Sequence, residues 1–185
     1  MSKKIIIVAV IILVVLVGYF MMADNTEGKK VKLETSKGDI VILLDSNMPI
    51  TAGNFEKLVS EKFYDGVIFH RVIPGFMIQG GDPDGTGMGG PGYSIEDEFV
   101  KGSSNVRGTI SMANSGPNSG GSQFFINVVD NTMLDWDKEP ASSKHPVFGK
   151  VIEGMDVVDE ISNVAKDSGD KPLEDVVIIK AEILS

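Results

Sequence analysis

Residues 31–35, read as VKLET, alternate apolar and polar side chains with period two, as a strand with one buried face does. A turn at residues 36–39 leads into a second apolar run at 40–44, so the pair predicts a hairpin. Pro49 and Thr51 then open a helix with Thr51 as its N-cap. Phe55, Leu58, Val59 and Phe63 follow at helical spacing, and Asp65-Gly66 ends it. Residues 67–73 and 76–79 read as short strands broken by Pro74-Gly75. Residues 80–92 hold seven glycines and two prolines and predict a loop. Strands are expected at 109–114 and 122–129, irregular polar chain at 130–146, and a strand at 147–151. A second helix follows Gly154 with Met155, Val158 and Ile161 on one face, then a loop at 167–175 and a closing strand at 176–184. About eight short strands and two helices without a βαβ rhythm predict a mainly β fold. An antiparallel barrel or sandwich with helices over its openings fits that order.

The amino terminus breaks this pattern. Residues 5–22, IIIVAVIILVVLVGYFMM, form an 18-residue run without a charge. As a helix it would span roughly 27 Å, close to the hydrocarbon thickness of a bilayer. The run is longer than the apolar core of a signal peptide, and Met21 is large for the position three before a cut after Ala23. These features predict a transmembrane anchor at residues 1–23, a polar linker at 24–30 and one domain at 31–185. Cleavage of the first segment and secretion is the alternative. Lys3 and Lys4 before the run place the domain outside the cytoplasm by the positive-inside rule, while Lys29, Lys30 and Lys32 behind it weigh the other way.

Charge and composition remove several functions. The chain has 17 basic and 26 acidic residues, a net charge of −9, and its only arginines are Arg71 and Arg107. That balance opposes a nucleic-acid partner and disfavours strongly acidic clients. With no cysteine and two histidines, disulfides, thiolate nucleophiles and multi-ligand metal sites fall away, and no cofactor is expected. Nothing beyond the anchor predicts assembly, so a monomer is expected. The run Gly85 to Gly90 satisfies G-x-G-x-x-G but lies in no βαβ unit, so it reads as a surface loop. No G-x-S-x-G elbow supports a hydrolase. The acidic run Glu96-Asp97-Glu98 reads as a solvated loop or a turn with backbone bonds.

Three strings carry the chemistry: FHRVIPGFMIQGGD from Phe69, SMANSGPNSGGSQFFI from Ser111, and KHPVFGKV from Lys144. On a strand, Phe69, Arg71 and Ile73 share one face, with His70 and Val72 on the other. Together and in this order the strings resemble the cyclophilin family of peptidyl-prolyl cis-trans isomerases, over residues 31–185. The resemblance implies an eight-stranded antiparallel barrel capped by two helices, and proline-containing polypeptides as substrates.

By the same resemblance Arg71 is the catalytic residue. Phe76, Met77, Phe125 and Leu134 would form the proline pocket, although Phe125 and Leu134 also read as plain core. Gln79 would hold a substrate carbonyl, Ala113 and Asn114 would offer backbone bonds, and Gln123 would position Arg71 or substrate. His145 would stand at the rim, with a solvated surface histidine as its plain reading, and His70 would be a hydrogen-bonded structural residue. The rival reading is a non-catalytic prolyl-peptide-binding or chaperone module on the same fold.

The sequence departs from many family members at Met133, where they carry a Trp whose indole N–H helps bind cyclosporin. The chain's one Trp, Trp136, falls in a loop insertion at 135–143 and does not replace it. Met lacks that donor. Cyclosporin is therefore expected to inhibit this chain about tenfold or more weakly than a Trp-bearing member, at a cost of about one strong hydrogen bond. Equal inhibition constants for the two proteins would overturn that expectation.

Overall fold

A computed structural model describes residues 28–184. Eight strands form one antiparallel sheet: β1 (Lys30–Thr35), β2 (Gly38–Leu44), β3 (Arg71–Ile73), β4 (Met77–Gly80), β5 (Thr109–Met112), β6 (Phe124–Asn127), β7 (Val147–Glu153) and β8 (Ile178–Leu184). Their spatial order is β3-β4-β6-β5-β7-β2-β1-β8. The edges β3 and β8 meet through a seam, not a full ladder. Gly66 N–H donates to Ile178 O (2.8 Å), Ile178 N–H to Val67 O (2.8 Å), and Phe69 N–H to Val176 O (2.9 Å). Residues 67–73 are therefore mostly irregular chain: only 71–73 form a strand, and Ile68 makes an isolated bridge to Val177.

Period-two alternation sorts the two faces. Val72, Ile78, Ile126 and Ile110 lie in register across β3, β4, β6 and β5 and are all fully buried. They fill the interior with Phe124, Phe148, Leu33, Ile40 and Ile42. The neighbouring register row, Arg71–Gln79–Phe125–Ser111, points to the other face. A one-residue slip would exchange the rows and bury the guanidinium, so the core fixes which side chains face outward.

Two helices cover the sheet. Helix α1 (Thr51–Ser60) turns Ala52, Phe55, Leu58 and Val59 inward. Phe55 meets Phe124 edge-on, with ring centroids 5.4 Å apart, and Phe148 at 5.2 Å. Helix α2 (Met155–Ser162) buries Val158 and Ile161. Two expectations for α1 are corrected. Thr51 does not cap it, and its hydroxyl is buried without a partner. The Glu98 carboxylate instead accepts from the N–H groups of Ile50 and Thr51, both at 3.0 Å. An acid from the 96–98 run thus takes up two orphan donors and faces the positive end of the helix dipole, a stabilisation of about 1 kcal/mol. The helix also ends at Ser60, before Asp65-Gly66. Lys62 turns left-handed (φ 58°), which brings Phe63 N–H back onto Leu58 O at 2.9 Å.

Residues 130–146 contain two short 3₁₀ turns, Thr132–Leu134 and Ala141–Ser143. Trp136 is half-buried there against Phe99, Val100 and Asn105. Among the described residues no helix is long and apolar enough to cross a membrane. The anchor expected over residues 1–23, and most of the linker, lie outside the described residues.

Candidate active site

Nine of the predicted residues line one cavity of about 240 Å³ on the outer face: Arg71, Phe76, Met77, Gln79, Ala113, Asn114, Phe125, Leu134 and His145. Strands β3, β4 and β6 bring Arg71, Gln79, Met77 and Phe125 there by register. The turn after β3 lifts Phe76 over them, its N–H held by Ile73 O (3.0 Å). Gln123 is not in this wall. It stands behind Gln79 and lines an adjoining cavity of about 290 Å³ with residues 87–94. Met133 is outside the wall as well, 58% exposed next to Leu134.

The polar side chains form a directed chain. Arg71 Nη1 donates to Gln79 Oε1 (3.4 Å), Gln79 Nε2 to Gln123 Oε1 (2.9 Å), and Gln123 Nε2 to the carbonyls of Gly87 (3.0 Å) and Gly89 (2.9 Å). Both ends of the Gln79 amide are thus engaged within the protein. Among the described residues Arg71 makes one long bond and no ion pair. Arg107 is the opposite case. Its guanidinium grips Asp159 with two bonds (2.8 and 2.7 Å) and donates to Val128 O (2.6 Å). The Asp159 bonds raise the Arg107 pKa further.

The glycine loop earns its shape from Asp82. That carboxylate is fully buried and accepts from the N–H groups of Asp84 (2.8 Å), Thr86 (3.0 Å) and Gly87. Burial by itself would raise its pKa, but these backbone donors outweigh it and hold the group below its ordinary value. A Cβ at Gly89 would stand 2.0 Å from Asp82 Oδ1, so only glycine fits there.

His145 Nδ1 lies 3.0 Å from Met112 O, which can only accept, so this nitrogen carries the proton. Its ring meets Phe125 edge-on at 5.2 Å. Burial lowers the His145 pKa, against the pull of the Met112 carbonyl, so the ring is neutral at pH 7. His70 corrects its expectation: it is buried, but among the described residues neither ring nitrogen has a hydrogen-bond partner. Burial lowers its pKa too, with Asp82 opposing.

Sequence reasoning missed the polar network beneath the cavity. Asn105 is fully buried. Its Nδ2 donates to the carbonyls of Leu134 (3.1 Å) and His145 (3.3 Å), and its Oδ1 accepts from Ser111 Oγ (2.7 Å). Asp135 accepts from Asn105 N–H and Ser104 Oγ, both at 2.6 Å. Asn131 Nδ2 donates to Phe76 O and to Asn127 Oδ1, both at 2.8 Å. Three wall residues, Phe76, Leu134 and His145, hang from these buried amides. Asparagines near turns carry a plain turn reading, and the partners lie 29–55 residues away, so no local signal marked them.

The family model for cyclophilin type peptidyl-prolyl cis-trans isomerase/CLD matches residues 30–183. The chain belongs to the cyclophilin family. The Schizosaccharomyces pombe peptidyl-prolyl cis-trans isomerase ppi1 is 45% identical over 159 residues, spanning 83% of this chain and 98% of that one. A Streptococcus pyogenes protein named as a bifunctional phosphatase/peptidyl-prolyl cis-trans isomerase is 42% identical over 188 residues, 86% of this chain but 40% of its own length. A Cryptosporidium parvum cyclophilin type isomerase, crystallised in the presence of the dipeptide Ala-Pro, is 34% identical with a TM-score of 0.77 and covers 84% of this chain and 99% of that one. The chain is accordingly an enzyme of the peptidyl-prolyl cis-trans isomerase class, and its eight strands and two helices are the cyclophilin fold.

The network carries a test of its own. Asn105→Ala leaves the Ser111 hydroxyl and the His145 carbonyl without their partner in a buried site, and leaves Leu134 O with only the His145 N–H (3.0 Å). A loss of about 2–4 kcal/mol is expected, read as a fall of roughly 5–15 °C in melting temperature. A shift under about 1 °C would show that the amide bears no load.

Proposed function

We propose that this cyclophilin turns X-Pro bonds by presenting the Arg71 guanidinium to the proline nitrogen as the amide twists. Amide resonance sets a barrier of about 18–20 kcal/mol. At the twisted geometry the proline nitrogen leaves conjugation and its lone pair localises. A fixed cationic donor stabilises that state and finds little to bind in the planar one. An acceleration of 10⁴–10⁵ would take about 5.5–7 kcal/mol of such differential stabilisation. No covalent bond changes, so neither a nucleophile nor a cofactor enters the step.

The observation that carries this reading is the shared wall of Arg71 with an apolar half, Phe76, Met77, Phe125 and Leu134. Burying the three methylenes of a proline ring there would contribute about 2–3 kcal/mol. Among the described residues, the backbone N–H and C=O of Asn114 make no hydrogen bond, which suits them to pair with a substrate strand beside the ring. The Gln79 amide, itself held by Gln123, accepts from the guanidinium. The fully buried row behind Arg71 makes its position stiff.

The proposal extends to place. The apolar run at 5–22 would tether a monomeric domain to the membrane, outside the cytoplasm, to act on newly exported chains. Removal of that run as a signal peptide would release the same domain. Alkaline extraction of membranes from cells making the full chain separates the two: retention with the lipid supports the tether, and full release overturns it.

Catalysis is tested by exchange spectroscopy on an X-Pro peptide with the full chain and with Arg71→Ala. Arg71 sits outside the core with one long contact, so the variant should fold. Its kcat/KM should fall at least about 100-fold, in line with loss of one transition-state donor. A variant as fast as wild type would remove Arg71 from the mechanism. A folded wild type no faster than buffer would leave a prolyl-peptide-binding module.

A further inference from the structure

On the other side of Arg71 and Gln79 lies a cavity of about 460 Å³, lined also by His70, Thr86, Gly169 and Lys171. No carboxylate lines it. Among the described residues neither Arg71 nor Lys171 is ion-paired. This concentration of positive charge stands out on a chain of net charge −9. Three acids close to the lining residues in sequence are engaged elsewhere. Asp82 is wrapped by backbone donors, Asp170 pairs with Lys166 at 2.7 Å, and Asp167 accepts from the N–H groups of Gly169 (2.8 Å) and Lys171 (3.0 Å). His70 also lines it, buried and among the described residues unpartnered, and burial disfavours its charged form, so the charged side chains lining the cavity are Arg71 and Lys171.

We propose that this cavity receives the carboxylate of an Asp or Glu side chain of the client, within about three residues of the X-Pro bond, and so gives the enzyme a preference for prolines with an acidic neighbour. The inference rests on the isomerase reading above. The two cavities share Arg71 and Gln79, and an extended chain advances only about 3.3–3.6 Å per residue. A polypeptide with its proline in one cavity therefore passes the mouth of the other. The N–H groups of Thr86 and Gly87 are committed to Asp82, so recognition falls to the two cations. Two opposed effects of charge act on an acidic client. The whole protein repels it over a distance, and salt relieves that repulsion. The local pair attracts it, and salt weakens that attraction. The sign of the salt effect thus tells them apart.

The test uses the full chain and a set of X-Pro peptides in which Glu or Gln is placed at each of the three positions on either side of the proline. At one or two positions the Glu/Gln ratio of kcat/KM should reach about three- to fivefold at low salt, the range of a partly exposed ion pair. It should fall toward one in 0.5 M salt, toward one in Lys171→Gln, and below one in Lys171→Glu. Ratios near one at every position overturn the proposal, as does a ratio that survives Lys171→Gln or rises with salt. Exchange of the Gln peptides above the buffer rate tests the isomerase reading separately, so either idea can fail without the other. Each ratio compares two peptides on one protein sample, and it holds for any variant that turns over both.

Discussion

A guanidinium held outside a barrel is only as steady as the strand that carries it, and β3 is three residues long. The contact that steadies it is on the inner face. Val72 is fully buried and lies in register with Ile78, beyond which come Ile126 and Ile110. Burying such side chains stabilises by roughly 1.5–3 kcal/mol each. Because strand side chains alternate strictly, this apolar row also decides that Arg71, Gln79 and Phe125 face outward together. The placing of Arg71 on the cavity wall is a consequence of core packing one residue away in the chain.

The wall of the cavity that does not belong to the sheet needs a different support. Leu134 and His145 sit on irregular chain, where no ladder holds the backbone. Asn105 donates directly to the Leu134 and His145 carbonyls, the Asp135 carboxylate takes the Asn105 N–H, and Asn131, bonded to Asn127, holds Phe76 O. Such a network is costly if any member is left unpaired, and in this one the Ser111 and Ser104 hydroxyls take up the remaining acceptors. One half of the pocket is thus positioned by apolar packing, the other by saturated hydrogen bonding.

These two supports differ in how plainly they show in the sequence. Of the strand expected over 67–73 only 71–73 forms, but the strands of Gln79 and Phe125 were legible as short apolar runs. So were the hairpin of β1 and β2 and the inward face of α2. The Glu98 cap was not, because the acid lies 48 residues from the N–H group of Ile50 that it serves, and Thr51 offered a plausible local cap. The end of α1 was misplaced because Phe63 keeps the helical spacing while Lys62 leaves the helical backbone. His70 was expected to be hydrogen-bonded on the rule that buried polar groups find partners. Its two bare nitrogens depend on what the 85–87 loop brings near, which no strand pattern encodes. The cavity residues themselves came from resemblance more than from periodicity. Periodicity placed Arg71 on a face but did not say what that face met.

The two arginines show what the site asks of its donor. Arg107 has every strong partner it can use, an Asp159 carboxylate in two-point contact and a backbone carbonyl. A guanidinium so paired would have to break bonds worth more than a transient amide lone pair returns. Arg71 is held by one 3.4 Å contact to a neutral amide, itself braced by Gln123 and the glycine loop. It is oriented yet left electrostatically unsatisfied, so its field is available to whatever charge develops nearby. The same poverty of partners among the described residues leaves Arg71 and Lys171 as unpaired cations lining the neighbouring cavity. On the proposed mechanism, an arginine kept free for the twisted nitrogen would also be free to draw a carboxylate to its other side, so the proposed selectivity for acidic neighbours would follow from the same requirement.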